Sequence, residues 1–197
     1  MVHIPEASPM SDPHMSESHA STLPGDTPPD EAIQRMIRVD HAGEYGAARI
    51  YAGQLAVLRD SRKASLLRHM RDQEQAHLDT FNAMIADRRV RPTALLPFWH
   101  VAGFALGAAT AVLGERAAMA CTVAVEQTID AHYTVQIDQL PDSEKPLRGT
   151  LEKFRAEERE HRDMALANEA ERTPGYRLLS AAIRAGCRVA IHLSERL

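Results

Sequence analysis

Between residues 31 and 197 apolar side chains recur at steps of three and four, the period of a helix with one buried face. No long stretch alternates in the two-residue rhythm of a half-buried strand. Breaks in the helical pattern mark off six predicted helices. The first runs from about Glu31 to Arg59, entered through Pro28 and Pro29 with Asp30 as an acidic N-cap. The second runs from about Arg62 to Asp87, capped by Ser61, and stops at RRVRP. The third covers about Thr93 to Leu113 and the fourth Glu115 to Leu140. The fifth follows the turn PDSEKP and ends near Glu171, ahead of Thr173-Pro174-Gly175. The sixth starts near Tyr176 and reaches the last residue.

Two of these apolar stripes contain charged groups. On the second helix Leu67, Met70, Glu74, His77, Phe81 and Met84 share one face. On the fifth, Leu151, Phe154, Glu158, His161 and Ala165 do the same. Burying an unpaired carboxylate is costly, so an acid on a core-facing stripe calls for a cation, a proton or a metal. The arrangement also occurs twice. Glu44 precedes Glu74-x-x-His77 by 30 residues, and Glu126 precedes Glu158-x-x-His161 by 32. Glu and His at i and i+3 lie on one helix face and can grip one ion.

Four glutamates and two histidines on four helices are the ligand set of a di-iron centre in a four-helix bundle. The predicted fold is therefore all-α and ferritin-like. Two similar halves, about residues 30–87 and 115–171, are joined by a long apolar crossover helix and followed by a sixth helix. In the usual arrangement each single Glu would ligate one metal terminally, Glu74 and Glu158 would bridge, and each His would complete one metal's shell, a division that spacing alone does not fix. Carboxylate and imidazole donors suit iron or manganese, and the absence of thiolate ligands argues against a structural zinc. Gly43, Gly46 and Gly53 weaken the first helix, which suggests close helix packing near the metals. Asp40, Asp72, Asp130 and Asp163 are charged neighbours able to accept from the outer ring nitrogen of a ligating histidine.

Charge and composition refine the picture. Of the 27 acidic residues four lie in residues 1–29, where there is no Lys or Arg; the remaining 23 balance the 23 basic residues. That segment is rich in Ser, Pro and His and is predicted to be a disordered acidic tail, with His3, His14 and His19 as solvent groups. A neutral folded part with few aromatic residues gives no support to nucleic-acid binding. Neither a dinucleotide-binding glycine motif nor a phosphate loop is present. Cys121 and Cys187 are read as packed, reduced thiols. Residues 95–113 carry no formal charge, and the last helix mixes Arg177, Arg184, Arg188 and Arg196 with apolar positions. The third helix is expected to lie on a membrane surface, or to be a buried crossover, rather than to cross, since a crossing would separate the two halves of the metal site; the sixth is either an interfacial helix or an ordinary docked terminal helix.

The stretches RVDHAGEYGAARIYAGQ, RDQEQAH, CTVAVEQTIDAHY, KFRAEEREHRD and AGCRVAIHLSERL closely resemble the bacterial demethoxyubiquinone hydroxylases of ubiquinone biosynthesis. The likeness extends over nearly all of residues 30–197. It implies the same six ligands, Glu44, Glu74, His77, Glu126, Glu158 and His161. It also implies a di-iron monooxygenase that puts one atom of O₂ into the ring of a polyprenylated demethoxyquinol, with NADH as electron source. Further implications are a peripheral location on the cytoplasmic side of the cell inner membrane, and either a lipid-binding accessory protein or a second copy as partner. Phe98, Trp99, Phe104, Tyr176 and Leu179 are expected to meet membrane or prenyl tail. His132 and Tyr133 match distinctive family positions and are expected to guide protons, electrons or the quinone ring; packing with a buried hydrogen bond is the plainer alternative. Two other functions use the same six ligands. One is a soluble ferritin-like iron oxidase or peroxidase, the other a non-enzymatic membrane-associated scaffold stabilised by metal.

Overall fold

The computed structural model describes residues 29–197, with side chains from residue 31 onward. The predicted tail over residues 1–29, apart from the Pro29 backbone, and the proposed Asp30 side-chain cap lie outside the described residues. Six α-helices follow in order: α1 (Pro29–Leu58), α2 (Ala64–Asp87), α3 (Leu96–Val112), α4 (Glu115–Gln139), α5 (Lys145–Ala167) and α6 (Tyr176–Ser194). Short 3₁₀ turns occupy Asp142–Glu144 and Ala170–Arg172.

The first helix begins at Pro29 rather than Glu31 and the sixth stops at Ser194 rather than Leu197; three further boundaries differ from the sequence expectation, each for a local reason. The fifth helix stops at Ala167 rather than Glu171. The Asn168 side chain donates back to the Met164 carbonyl at 2.7 Å, and Glu169 turns left-handed at φ 66°. Arg116 and Arg172 both pair with the Glu169 carboxylate and hold that turn. The second helix begins at Ala64, because Ser61 closes a turn before it: its Oγ accepts from the Lys63 N–H at 3.1 Å. The third begins at Leu96, with Pro97 in its first turn.

Helices α1 and α2 form one hairpin and α4 and α5 another, while α3 lies along α1 and α6 along α4. The core divides along the bundle axis. At one end Ile33, Ile37, Phe81, Tyr133, Leu147, Leu151 and Phe154 pack together. At the other, Tyr51, Leu67, Met70, Met119, Val123 and Ala165 do so. Every ligand helix runs from one cluster to the other, and its Glu or Glu-x-x-His lies between them. The polar layer is thereby sealed above and below by hydrocarbon.

The glycine expectation needs correcting. The close approach is to α3 and not around the polar layer. A Cβ on Gly53 would sit 2.1 Å from the Phe104 carbonyl oxygen, and one on Gly107 1.9 Å from that of Ile50. A Cβ on Gly43 or Gly46 would meet nothing within 4 Å and would point into open space, although one on Gly103 would lie 2.9 Å from the Gly46 carbonyl oxygen. Outward from this seam α3 exposes Phe98, Val101 and Val112, with Leu113 exposed just after it, and α6 exposes Leu178 and Val189. Among the described residues no helix is long and apolar enough to cross a membrane.

The seam gives a direct test. Gly107→Ala forces two helix backbones apart and should destabilise by about 1–3 kcal/mol, the usual range for overpacking. Gly149→Ala, on α5 with open space at its Cβ, should be neutral or stabilising by up to about 1 kcal/mol. Thermal melts followed by circular dichroism compare the two; equal melting temperatures would refute the tight-seam reading.

Candidate metal centre

Six side chains converge in the polar layer. Glu44 comes from α1, Glu74 and His77 from α2, Glu126 from α4, and Glu158 and His161 from α5. All six are buried, none more than 2% exposed. They form two overlapping groups. In one, Glu44, Glu74, His77 and Glu158 each offer a ligand atom, and these atoms lie within 4.8 Å of one another. In the other, Glu74, Glu126, Glu158 and His161 do the same. Glu74 and Glu158 belong to both.

The histidines turn the same ring nitrogen inward. His77 Nδ1 lies 3.1 Å from Glu158 Oε1 and 3.4 Å from Glu44 Oε2. His161 Nδ1 lies 3.1 Å from Glu74 Oε1 and 3.2 Å from Glu158 Oε2. Outward, His77 Nε2 meets Glu157 Oε2 at 2.8 Å and His161 Nε2 meets Gln73 Oε1 at 3.0 Å. These two acceptors replace the aspartates expected from sequence. Asp72 and Asp163 pair with their neighbours Arg71 and Arg162 at the surface, and Asp130 pairs with Arg155. Asp40 binds His132 at 3.3 Å and accepts from Gln136 at 2.9 Å.

The acids sit in an environment that resists their charge. Burial, reinforced by the neighbouring carboxylates, pushes the Glu74 and Glu126 carboxyls well above their ordinary range. Burial also raises Glu44, against the opposing pull of His77. Burial acts upward on Glu158 too, but the close approach of the His161 and His77 imidazoles outweighs it and brings it to about 2. Burial lowers His77, and the nearness of the Glu158 and Glu44 carboxylates more than reverses that, raising it to about 11.

Unpartnered atoms show what the layer fits. Glu44 Oε2, both oxygens of Glu74 and of Glu158, Glu126 Oε2 and the two inward Nδ1 atoms are buried without a hydrogen-bond partner. Such atoms are rare in folded interiors, because each forfeits its hydration. Oxygen and imidazole donors clustered this way match two divalent or trivalent transition ions, which would cancel the mutual repulsion of the acids.

Two tyrosines complete the layer. Tyr133 donates to Glu44 Oε1, and Tyr51 donates to Glu126 Oε1 at 2.7 Å. Burial and the adjacent carboxylates raise both phenols well above their ordinary range, so they remain donors. His132 does not reach the six; it lies beside Asp40, partly exposed. His41 is occupied by Asn82 at 3.0 Å. The sequence reading missed Tyr51, Gln73 and Glu157. Their signal was present in the repeat: Tyr51 follows Glu44 by seven residues as Tyr133 follows Glu126, and Gln73 and Glu157 each precede a shared glutamate. The thiols take no part: burial pushes Cys121 up to about 12 and Cys187 up to about 11.

On the far side of α1 and α4 from this layer lies an apolar cleft of about 480 Å³, closed by α3 and α6. Gly43 and Ala47, beside Glu44, and Val125, beside Glu126, form part of its wall. Trp99 and Leu179, two residues expected at membrane or tail, also line it, and Trp99 Nε1 donates to Ser194 Oγ at 3.0 Å. Of the other three, Phe98 is 60% exposed, Phe104 lies beneath the Arg49 guanidinium, and Tyr176 packs, partly buried, against the core cluster that contains Met70 and Ala170.

Comparison with known proteins agrees with this architecture. The family model described as ubiquinone biosynthesis protein COQ7 matches residues 31–194. A 3-demethoxyubiquinol 3-hydroxylase of Rhodospirillum rubrum is 58% identical over 176 residues, covering 89% of this chain and 83% of the relative. The mitochondrial NADPH-dependent 3-demethoxyubiquinone 3-hydroxylase of Homo sapiens is 55% identical over 170 residues, covering 84% and 78%. The mitochondrial 5-demethoxyubiquinone hydroxylase of Saccharomyces cerevisiae is 42% identical, covering 84% and 78%. With a ferritin-like helical bundle, two buried carboxylate–imidazole groups and this likeness along the described chain, the protein belongs to the COQ7 family of demethoxyubiquinone hydroxylases.

Proposed function

We propose that this protein is a 3-demethoxyubiquinol 3-hydroxylase, an oxidoreductase that inserts one oxygen atom from O₂ into the quinol ring during ubiquinone biosynthesis. The observation that carries the reading is the pair of buried carboxylate–imidazole groups sharing Glu74 and Glu158, two of whose four helices, α1 and α4, also wall an apolar cleft. Glu44, Glu74, His77 and Glu158 would hold one iron, and Glu74, Glu126, Glu158 and His161 would hold the other. When bound, the two irons supply the one-electron and dioxygen chemistry that no side chain provides.

The protein's own contribution is position and field. Tyr133 and Tyr51 each fix one terminal carboxylate by donating to its Oε1, which leaves the second oxygen for metal. Glu157 and Gln73 fix the rotation of the two imidazoles so that Nδ1 points inward. The apolar clusters at either end exclude water from the layer. The cleft takes the demethoxyquinol ring and the start of its prenyl tail, approaching the metals where Gly43 and Ala47 leave α1 thin. His132 and Asp40 form a polar contact leading inward from a partly exposed ring, and we assign to them, with Tyr133, the passage of protons.

A polyprenyl tail leaves a bilayer only at about 0.8 kcal/mol per CH₂. The exposed Phe98, Val101 and Val112 of α3, Leu113 just after it and Leu178 of α6 suit the cytoplasmic surface of the cell inner membrane, where the tail can stay in lipid while the ring climbs into the cleft. A soluble iron oxidase with the same ligands has no use for that cleft or that face. NADH is the proposed electron source, with NADPH, which stands in the human relative's name, as the competitor to test against it.

Reconstitution with ferrous iron, a demethoxyquinol, reductant and ¹⁸O₂ should add one labelled oxygen to the product by mass, and none without iron. Oxygen uptake without labelled product would turn the assignment toward an oxidase. Glu158→Ala removes a ligand shared by both groups and should abolish metal retention and hydroxylation together; activity surviving in metal-free Glu158→Ala would sink the two-iron mechanism. Tyr133→Phe should retain both irons by elemental analysis, yet lose about 1–3 kcal/mol of stability as Glu44 Oε1 loses its donor.

A further inference from the structure

The two halves place matching residues around the polar layer. Glu44 corresponds to Glu126, Glu74 to Glu158, His77 to His161, and Tyr51 to Tyr133. These four pairs are identical in residue type, each tyrosine donates to the single glutamate of the other half, and each inward Nδ1 meets the shared glutamate of the opposite hairpin at 3.1 Å. The fifth pair breaks the match. His77 Nε2 lies 2.8 Å from a carboxylate oxygen of Glu157, whereas His161 Nε2 lies 3.0 Å from an amide oxygen of Gln73. Glu157 also has Lys153 one turn away at 3.8 Å, and its side chain is 26% exposed. Gln73 brings no charge.

The acceptor on the outer nitrogen of an imidazole tunes what the inner nitrogen gives to a metal. With Nδ1 turned inward, Nε2 carries the hydrogen and donates it outward. A carboxylate draws that hydrogen more strongly than an amide, because charge-assisted bonds are the stronger class. The His77 ring is thereby pushed toward imidazolate character and is the better electron donor. The ligands themselves are the same in kind on both sides, so the acceptor on each outer nitrogen is where the residue type changes.

We propose that the two metal positions are electronically unequal, and that Glu157 and Gln73 set the inequality. The position served by Glu44 and His77 is the more electron-rich and favours the ferric state. The position served by Glu126 and His161 is the more Lewis-acidic and accepts an incoming electron first. Glu157 and Gln73 are positioning residues that act through the histidines. The proposal deepens the two-iron reading and rests on it.

The test is Mössbauer spectroscopy of the full chain loaded with ⁵⁷Fe, alongside stepwise Fe²⁺ titration. The unaltered protein should bind two irons and give two resolved quadrupole doublets of equal area. Glu157→Gln, which keeps the hydrogen bond but removes the charge, should bring the doublets together and weaken one of the two binding steps by about 10-fold, leaving the other unchanged. Gln73→Glu should also bring them together, by strengthening the opposite side; it carries the test alone if Glu157→Gln does not fold. Two bound irons with unshifted doublets in the variants would overturn the proposal and leave the two-iron reading standing. Fewer than two irons in the unaltered protein would overturn that reading and the proposal with it.

Discussion

Four carboxylates and two imidazoles share one dry layer in the middle of this bundle, and their mutual repulsion is the constraint to which the rest of the structure answers. Charge in a medium of low polarity is expensive unless countercharges lie within a few ångströms. The ends of the layer are therefore sealed by Phe81, Phe154 and Leu151 on one side and by Leu67, Met70 and Met119 on the other. The six groups are drawn close enough that cations can replace the missing solvent, and the unpartnered oxygens of Glu74 and Glu158 mark where. Apolar packing supplies the rigidity, and the layer supplies the chemistry.

The exchange of contacts between halves makes the layer cooperative. Tyr133 on α4 holds Glu44 on α1, and Tyr51 on α1 holds Glu126 on α4. Glu157 on α5 orients His77 on α2, and Gln73 on α2 orients His161 on α5. Neither half can arrange its own ligands, because in every case the orienting group belongs to the other. This gives a physical reason for two similar halves to remain as one domain, beyond the apolar area each covers on the other.

Helices α1 and α4 serve both the layer and the cleft, with ligands on one face and small or apolar residues on the opposite face. Gly53 and Gly107 let α3 settle directly on the α1 backbone, while Gly43 and Gly46 keep the cleft open a turn or two further along. One helix thus uses glycine for contact at one place and for empty volume at another. The exposed apolar residues of α3 and α6 continue outward from the same structural unit.

The sequence by itself determined the helices and the six residues of the polar layer. Both follow from local periodicity: an i, i+3 Glu–His pair on a core-facing stripe can be recognised without knowing what it faces, and its repetition predicts a shared destination. The groups around the six could not be read in the same way. Asp40, Asp72, Asp130 and Asp163 were natural candidates by nearness along the chain, yet the acceptors that reach the histidines, Glu157 and Gln73, come from the opposite hairpin. Which residue of one helix meets a ring on another depends on the rotation and axial offset of the two helices, which no single helix encodes. The same holds for the glycines of α1, whose roles diverge only once α3 is laid across them, and for the end of α5, where Arg116 from another helix helps fix Glu169. Periodicity along one helix decides which side chains turn inward; only the packing of one helix against another decides whom they meet.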